Sequence, residues 1–444
     1  MPRFTSFLLL ITTLFFTSGF SQAAQYIVHR NFPSQFVSPR TIVIYLPPEY
    51  STSTNRYPVL YMHDGQNLFD SQKTGLRGAG SPIKWDVDKA LERLISDKKA
   101  SPCIIVGIFN TTKRIEEYSP PTNASGRGLL GNYARFIVEE LKPWVDATYR
   151  TDPSAKTTGI MGSSMGGLAS FYLQMWYPEV FGFAGVISPS FWWGNEQVLS
   201  HIGSFDFKKI GLLYIDAGWR ESDEMMIPAR HVYQALSPHL GERLWYYEDR
   251  NGTHSESSWQ NRVFIPLLLF LGKTKPSLLS WQVLIEPATI GINDTSSVTI
   301  EALYTDNIKR TSLPTLSSKA FLISNHQITA LTAGSMSLTI QSPYGMLTTN
   351  ISVQSKSRDA ISIRFLSSRP VILEVFRYVS NNLTIPTNFT INLLLTNETT
   401  LTQVRGTRFH FRLLDKDQKP IETNGKPIEL SVTFTRDRDY VVEF

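Results

Sequence analysis

The stretch Gly162-Ser163-Ser164-Met165-Gly166-Gly167 limits what this chain can fold into more than any other. It follows a β-rich run, Thr157 to Met161, and leads into a helix-like segment, Leu168 to Trp176. Gly-x-Ser-x-Gly on a sharp strand-to-helix turn pushes the serine hydroxyl out above a sheet, and the glycines remove Cβ atoms that would block so tight a bend. Ser164 is then the nucleophile, with Ser163 at the x position. With Gly and Ser each near ~7% of residues, the pattern arises by chance in roughly one chain of this length in seven. Its meaning therefore depends on the elements around it.

Those elements predict an α/β sheet. Strand candidates are Thr41 to Leu46, Val59 to His63, Cys103 to Phe109, Thr157 to Met161, Phe183 to Ile187, Gly211 to Ile215 and Leu244 to Tyr247. Several are continuous apolar runs, as in strands covered on both faces. Between them lie helical patterns: Trp85 to Leu94, the spaced set Leu130, Tyr133, Ile137, Leu141 and Trp144, and Ser257 to Leu271, in which Pro266 predicts a kink. Strands alternating with helices predict a mainly parallel sheet with helices on both faces.

A serine nucleophile needs a base, and the base an orienting acid, in the chain order Ser, acid, His. Of the histidines after Ser164, His231 falls in a helix-like stretch, His201 precedes the acid strand, and His326 and His410 lie beyond the sheet region. His254, in the loop Asn251-Gly252-Thr253-His254 after a strand, is the favoured base, with His239 its rival. The acid should leave the strand Gly211 to Ile215. Asp216 is assigned to turn hydrogen bonds and Glu224 to the start of the next helix, which leaves Glu221 as first choice and Asp223 as second. The oxyanion of a tetrahedral intermediate needs two N–H donors. Met165, after the nucleophile, supplies one. Gly65 lets the loop after Val59 to His63 turn, making Gln66 the other.

Taken together, His63-Asp64-Gly65-Gln66-Asn67-Leu68-Phe69, Trp85-Asp86, Arg114 with Glu117-Tyr118, the Ser164 motif, Ser188-Pro189-Ser190-Phe191-Trp192-Trp193 and Gly252-Thr253-His254 resemble the esterase D or enterochelin esterase-like family of α/β-hydrolases. The resemblance covers about Tyr26 to Gly272. It implies a serine esterase in which the acid sits three residues after a strand-end glycine, mapping Gly218 onto Glu221, and in which the donor after the Asp-Gly pair maps onto Gln66. Trp219 departs from the pattern, where many members carry Thr. Arg114, Tyr118, Trp192 and Trp193 are candidates to line an acyl or aromatic pocket, the alternative being that the tryptophans pack a lid.

The ends of the chain have other tasks. Arg3, the apolar run Phe7 to Phe16 and Ser21-Gln22-Ala23 predict a signal peptide, residues 1–23, and hence a secreted or periplasmic protein with no stable membrane span after cleavage. Cys103 is the single cysteine, so no disulfide forms within the chain. A net charge of +5 from 43 basic and 38 acidic residues, without a basic block, argues against a nucleic-acid partner. No HExxH, Cys/His metal spacing or Gly-rich phosphate loop occurs, so neither metal nor cofactor is implied. The α/β-hydrolase domain is predicted over 24–275. After Lys273-Thr274-Lys275-Pro276 the composition turns to Ser, Thr and Asn, and short strand-like runs predict C-terminal all-β sandwich material, 276–355 and 356–444. Within it, Ile328-Thr329-Ala330-Leu331-Thr332-Ala333-Gly334-Ser335 resembles a late strand of bacterial immunoglobulin-like modules.

The sequence thus predicts a serine carboxylic-ester hydrolase acting on a small-molecule or glycan-linked ester, such as a siderophore, feruloyl or acetyl-sugar ester. Two alternatives stand beside it. One is an acyltransferase of the same fold; the other is a surface adhesion protein with an idle hydrolase scaffold, its β domains binding carbohydrate or a surface. Every candidate site residue precedes Pro276, so the tail is expected to be catalytically separable.

Overall fold

Apolar runs become strands covered on both faces. The computed structural model describes residues 23–354 apart from 77, 123–127, 287, 289 and 325, and beyond them chiefly the backbone of strands between Ala360 and Glu443. The predicted signal peptide falls almost wholly outside the described residues. The first eight strands are β1 (Gln25–Phe32), β2 (Arg40–Leu46), β3 (Val59–His63), β4 (Ile104–Ile108), β5 (Thr158–Ser163), β6 (Phe183–Ile187), β7 (Leu212–Gly218) and β8 (Leu244–Asp249). They form one sheet in the order β1-β2-β4-β3-β5-β6-β7-β8. β2 runs antiparallel to its neighbours β1 and β4, and the remaining pairs are parallel.

Among the described residues, the longer helices that flank this sheet are α1 (Val87–Ser96), α2 (130–148, with a π-helical middle, Phe136–Leu141), α3 (Met165–Trp176), α4 (Asp223–Leu240), α5 (Glu256–Arg262) and α6 (Phe264–Leu271). Alternate strand residues face opposite layers. Ile42, Ile44, Ile160 and Ile215 meet α2, α3 and α4, whereas Val43, Tyr45, Leu60 and Met62 meet α1 and α6. The helix-spaced Leu130, Tyr133, Ile137 and Leu141 are fully buried in the first layer, each contributing ~1.5–3 kcal/mol of apolar transfer. The fold is an α/β-hydrolase sheet with helices on both faces.

β1 has no counterpart among the sequence-predicted strands. It is a partly exposed edge strand whose polar residues hide its alternation. Pro266 does interrupt the last helix, but upstream of itself. Its missing N–H cannot bond the Arg262 carbonyl and its ring crowds that oxygen, and the helix breaks there into α5 and α6.

The chain continues into nine short strands. β9 (Leu278–Glu286), β11 (Thr295–Tyr304), β12 (Lys309–Ser312), β14 (Phe321–Ser324) and β15 (Gln327–Ala330) make one sheet. β10 (Ile290–Gly291), β13 (Thr315–Ser317), β16 (Gly334–Ser342) and β17 (Gly345–Gln354) make the other. Val298, Ile300, Ile328, Leu338 and Ile340 fill the space between them. Beyond 354 the backbone is again β-rich. The sandwich is not a free appendage. Ala302, Tyr304 and Ile308 belong to the same buried cluster as Trp245 and Leu267 of the hydrolase.

Candidate active site

The turn between β5 and α3 places Ser164 at φ 58°, ψ −123°, a conformation that costs an L-residue about 1–3 kcal/mol and persists only where the surroundings hold it. Here the surroundings are backbone hydrogen bonds. Ser164 N–H donates to the carbonyls of Ile187 (3.0 Å) and Ser188 (3.1 Å), and Ser190 N–H returns a bond to the Ser164 carbonyl at 3.0 Å. Gly162 and Gly166 admit the end of β3: a Cβ at either would approach His63 to 2.8 or 3.1 Å. The loop carrying Gln66 is thereby brought beside the nucleophile.

Met165 is the first residue of α3, and Gln66 lies in the 3-10 turn Gly65–Asn67 after left-handed Asp64. Leading N–H groups of helical turns have no acceptor within the turn, so both positions suit an incoming oxyanion. The Gln66 loop is held from three sides. Lys84 Nζ donates to the Gln66 carbonyl at 2.8 Å, Asn110 N–H to Gln66 Oε1 at 3.3 Å, and Asn67 Nδ2 to Glu256 Oε1 at 3.3 Å. The last of these ties it to α5, beside His254.

β7 ends at Gly218, and the following turn delivers Glu221, 5% exposed, to His254, whose Nδ1 lies 3.1 Å from Glu221 Oε2. Asp223 instead occupies the first turn of α4, as does Glu224. The rival base His239 lies near the other end of α4, its ring stacked on Phe207. Glu221 Oε1 is separately occupied, by Gly218 N–H at 2.9 Å, Ser188 Oγ at 2.6 Å and Arg262 at 3.4 Å. The proton on Ser188 has only one place to go. Arg262 (2.6 Å) and Trp259 Nε1 (3.1 Å) are donors without acceptor capacity, so Ser188 accepts from both and donates to Glu221.

Burial alone would raise the Glu221 carboxyl, but hydrogen bonds from His254 and Ser188 and the attraction of His254 and Arg262 outweigh it and hold it below the ordinary value. An ionised Glu221 accepts only, so His254 Nδ1 is the donor in their contact. His63, fully buried against Tyr133, is pushed down to about 3 by burial and stays neutral.

Ser188 and Arg262 were not among the residues assigned from sequence. Ser188 lay inside a quoted motif, whereas Arg262 carries no signal beyond being one cation in an apolar helical stretch. Asp216 accepts from a turn N–H as expected, that of Ser188 at 3.0 Å, but it is also fully buried in β7 and pairs with Arg262 at 3.0 Å; burial raises its carboxyl despite that partner. The thiol of Cys103 is buried and pushed up by burial, as suits a packing residue.

The candidate substrate residues separate. Tyr118 is fully buried, its ring beside His63 and its hydroxyl accepting from Asp64 N–H at 3.3 Å, so it supports the Gln66 loop from within. Arg114 clamps Asp64 with two bonds of 2.8 and 2.7 Å. It also lines a cleft of about 580 Å³ with Ile115, Ser119 and Trp193. Trp193 donates to the Pro120 carbonyl at 3.1 Å, while Trp192 is 41% exposed. Ser164 Oγ lies 3.3 Å from Ser190 Oγ, and no Ser164–His254 hydrogen bond forms among the described residues.

A strained serine at a strand-to-helix turn in a sheet of this order defines an α/β-hydrolase. The family described as "Putative esterase" matches residues 34–267, more than half of the chain. The chain belongs to that family and is a carboxylic ester hydrolase. It is 27% identical over 200 residues to the uncharacterized protein YbbA of Bacillus subtilis, covering 44% of this chain and 73% of that one. It is 29% identical to an iron(III) enterobactin esterase of Escherichia coli over 40% of this chain and 44% of that enzyme. A solved ferulic acid esterase aligns with a TM-score of 0.46 and 17% identity over 56% of this chain and 98% of the other.

Proposed function

We propose that this esterase acts through an acyl-enzyme on Ser164, with His254 as general base, Glu221 as orienting acid, and the N–H groups of Met165 and Gln66 as oxyanion donors. The observation that carries the reading is the Glu221–His254 contact of 3.1 Å, made by one carboxylate oxygen while buried donors hold the other. Ser164 Oγ attacks the ester carbonyl as its proton passes to His254 Nε2, and the carbonyl oxygen becomes an oxyanion between Met165 and Gln66. Collapse breaks the C–O bond, and His254 gives that proton to the departing alcohol. Water then repeats the sequence, freeing the acid and restoring Ser164. Before attack, the Ser164 hydroxyl must rotate from Ser190 towards His254.

The proposed substrates are siderophore, feruloyl or acetyl-sugar esters. Exposed Trp192 and the cleft beside Trp193 and Arg114 supply aromatic faces and a cation, which suits a bulky aromatic or polar acyl group. Relatives named for enterobactin and feruloyl esters support the same class. Residues 1–23 are proposed as an export signal, and 276–355 as an immunoglobulin-like module. The test is a panel of chromogenic acyl esters, feruloyl sugars, acetylated sugars and catecholate trilactones, assayed with wild type and Ser164→Ala. Turnover by wild type alone supports the reading; near-wild-type turnover by the variant overturns it.

A further inference from the structure

We propose that the β-sandwich is a positioning element of the esterase site, joined to the loop of the acid Glu221 through a buried node at Glu248. The inference rests on the triad reading above. Glu248 lies on β8, the last strand of the sheet, and is 3% exposed. Its carboxylate is filled from the hydrolase side: Trp219 Nε1 donates to Oε2 at 2.8 Å, Tyr246 Oη to Oε1 at 2.9 Å, and Arg230 to both oxygens at 2.7 and 2.8 Å. Its backbone N–H turns outward and donates to Thr311 Oγ1 of β12 at 3.0 Å. Arg230 reaches the same way, to Ser297 Oγ of β11 at 3.2 Å.

The outer edge of β8 is thus completed by the sandwich instead of by a ninth strand. Arg310 donates to the Leu244 carbonyl at 2.7 Å, and the Lys309 carbonyl accepts from Trp245 Nε1 at 2.9 Å. An unpaired strand edge would otherwise leave these groups to solvent. On the inner edge β8 pairs with β7 as far as Gly218–Asp249, after which Trp219 N–H donates to the Asp249 carbonyl and Arg220 N–H to the Gly252 carbonyl. Trp219 is the hinge of this arrangement. It sits two residues before Glu221, its backbone is fixed by β8, and its indole is fixed by the carboxylate that Arg230 also holds. Movement of β11 and β12 relative to β8 is transmitted to the acid through these bonds.

The test is steady-state kinetics on full-length protein. Trp219→Phe keeps the ring and removes Nε1–H; Thr311→Val keeps volume and removes the acceptor on the sandwich side. Each is expected to lower kcat with KM little changed, by about tenfold for Trp219→Phe and less for Thr311→Val, since small misplacements of a catalytic group carry penalties of that order. Thr311→Ser, which keeps the hydroxyl, should restore the rate. The decisive readout is the background Glu221→Gln: a group that acts by placing Glu221 has nothing left to place, so neither substitution should lower kcat further there. An unchanged kcat in both folded variants, or an equal loss in the Glu221→Gln background, would overturn the proposal while leaving the triad intact. Near-wild-type turnover in Glu221→Gln alone would remove the acid assignment, and this proposal with it. Should Trp219→Phe fail to fold, Thr311→Val and Thr311→Ser give the same reading from the sandwich side.

Discussion

Gly218 and Gly252 press the loops of the proposed acid and base, Glu221 and His254, together: a Cβ built on Gly218 would lie 2.3 Å from the Gly252 carbonyl oxygen and 2.8 Å from Glu221 Oε1. Backbone cannot yield as a side-chain end does. Gly218→Ala is therefore expected to push the two loops apart and to lower kcat by about 100-fold with a smaller change in KM. Kinetics on the folded variant checks this, and a wild-type kcat would show that the contact does not set the catalytic geometry.

Ser164 combines chemistry with strain. Ser164→Ala should cost about 10³-fold or more in kcat, because without the hydroxyl only binding and oxyanion stabilisation remain. Ser164→Gly should be as inactive yet melt higher, since φ 58° with ψ −123° is open to glycine. Thermal unfolding of the three proteins measures the difference. A glycine variant that melts below wild type would mean that Ser164 side-chain contacts outweigh the backbone strain.

Much of this site was legible in the sequence because its parts are local. Ser164, Gln66 and His254 each sit in a turn whose glycines and neighbouring strand runs are contiguous, and the strand-turn-helix order fixes where such turns emerge. The family resemblance pointed to Glu221 through the strand-end Gly218, and Glu221 lies 3.1 Å from His254 whereas Asp223 opens α4. The unread parts are long-range. Arg262 meets Asp216 and Ser188 across 46 and 74 residues, and no local pattern tells a buried clamp from a solvated helix cation. Tyr118 misled in the opposite sense, because adjacency to Arg114 says nothing about which of the two faces the opening.

Acid should weaken the Glu221 contribution in a defined window. Folding lowers its carboxyl below the ordinary value, which is about 4.3 for a free glutamate. Its stabilising effect is then fully present above that value and is lost as pH falls through the lower, folded one. Melting of wild type and Glu221→Gln should differ most near neutrality and converge as pH falls below the ordinary glutamate range. A gap that widens on acidification would contradict the direction of the shift.

Arg262, 2% exposed, faces Asp216 and Glu221 in a dry setting. Removing one member of such a pair strands the other charge, at a cost of about 3 kcal/mol or more. Arg262→Met should therefore lower the unfolding free energy by that order, and adding Asp216→Asn should recover part of it. Denaturant titration of both variants tests the claim. Simple additivity of the two losses would show that the charges are not coupled.

Removing everything beyond Pro276 should harm the hydrolase itself. Tyr304 lies with its ring 4.8 Å from that of Trp245, and Ala302, Tyr304 and Ile308 are buried in the cluster that also holds Leu267 and Leu271. Truncation would bare this face, at ~1.5–3 kcal/mol for each large apolar side chain uncovered. It would also leave the Trp245 indole N–H, the Leu244 carbonyl and the Glu248 N–H without their sandwich partners. A chain cut at Pro276 is expected to be poorly soluble or to melt well below the full-length protein, and any folded fraction should turn over a small activated ester more slowly, with the loss in kcat. Addition of the separately produced 276–444 segment in trans should not restore it at micromolar concentration, because the covalent link supplies an effective concentration in the millimolar range. Equal melting temperature and equal kcat for the cut chain would show that the shared core is a contact without consequence for the site.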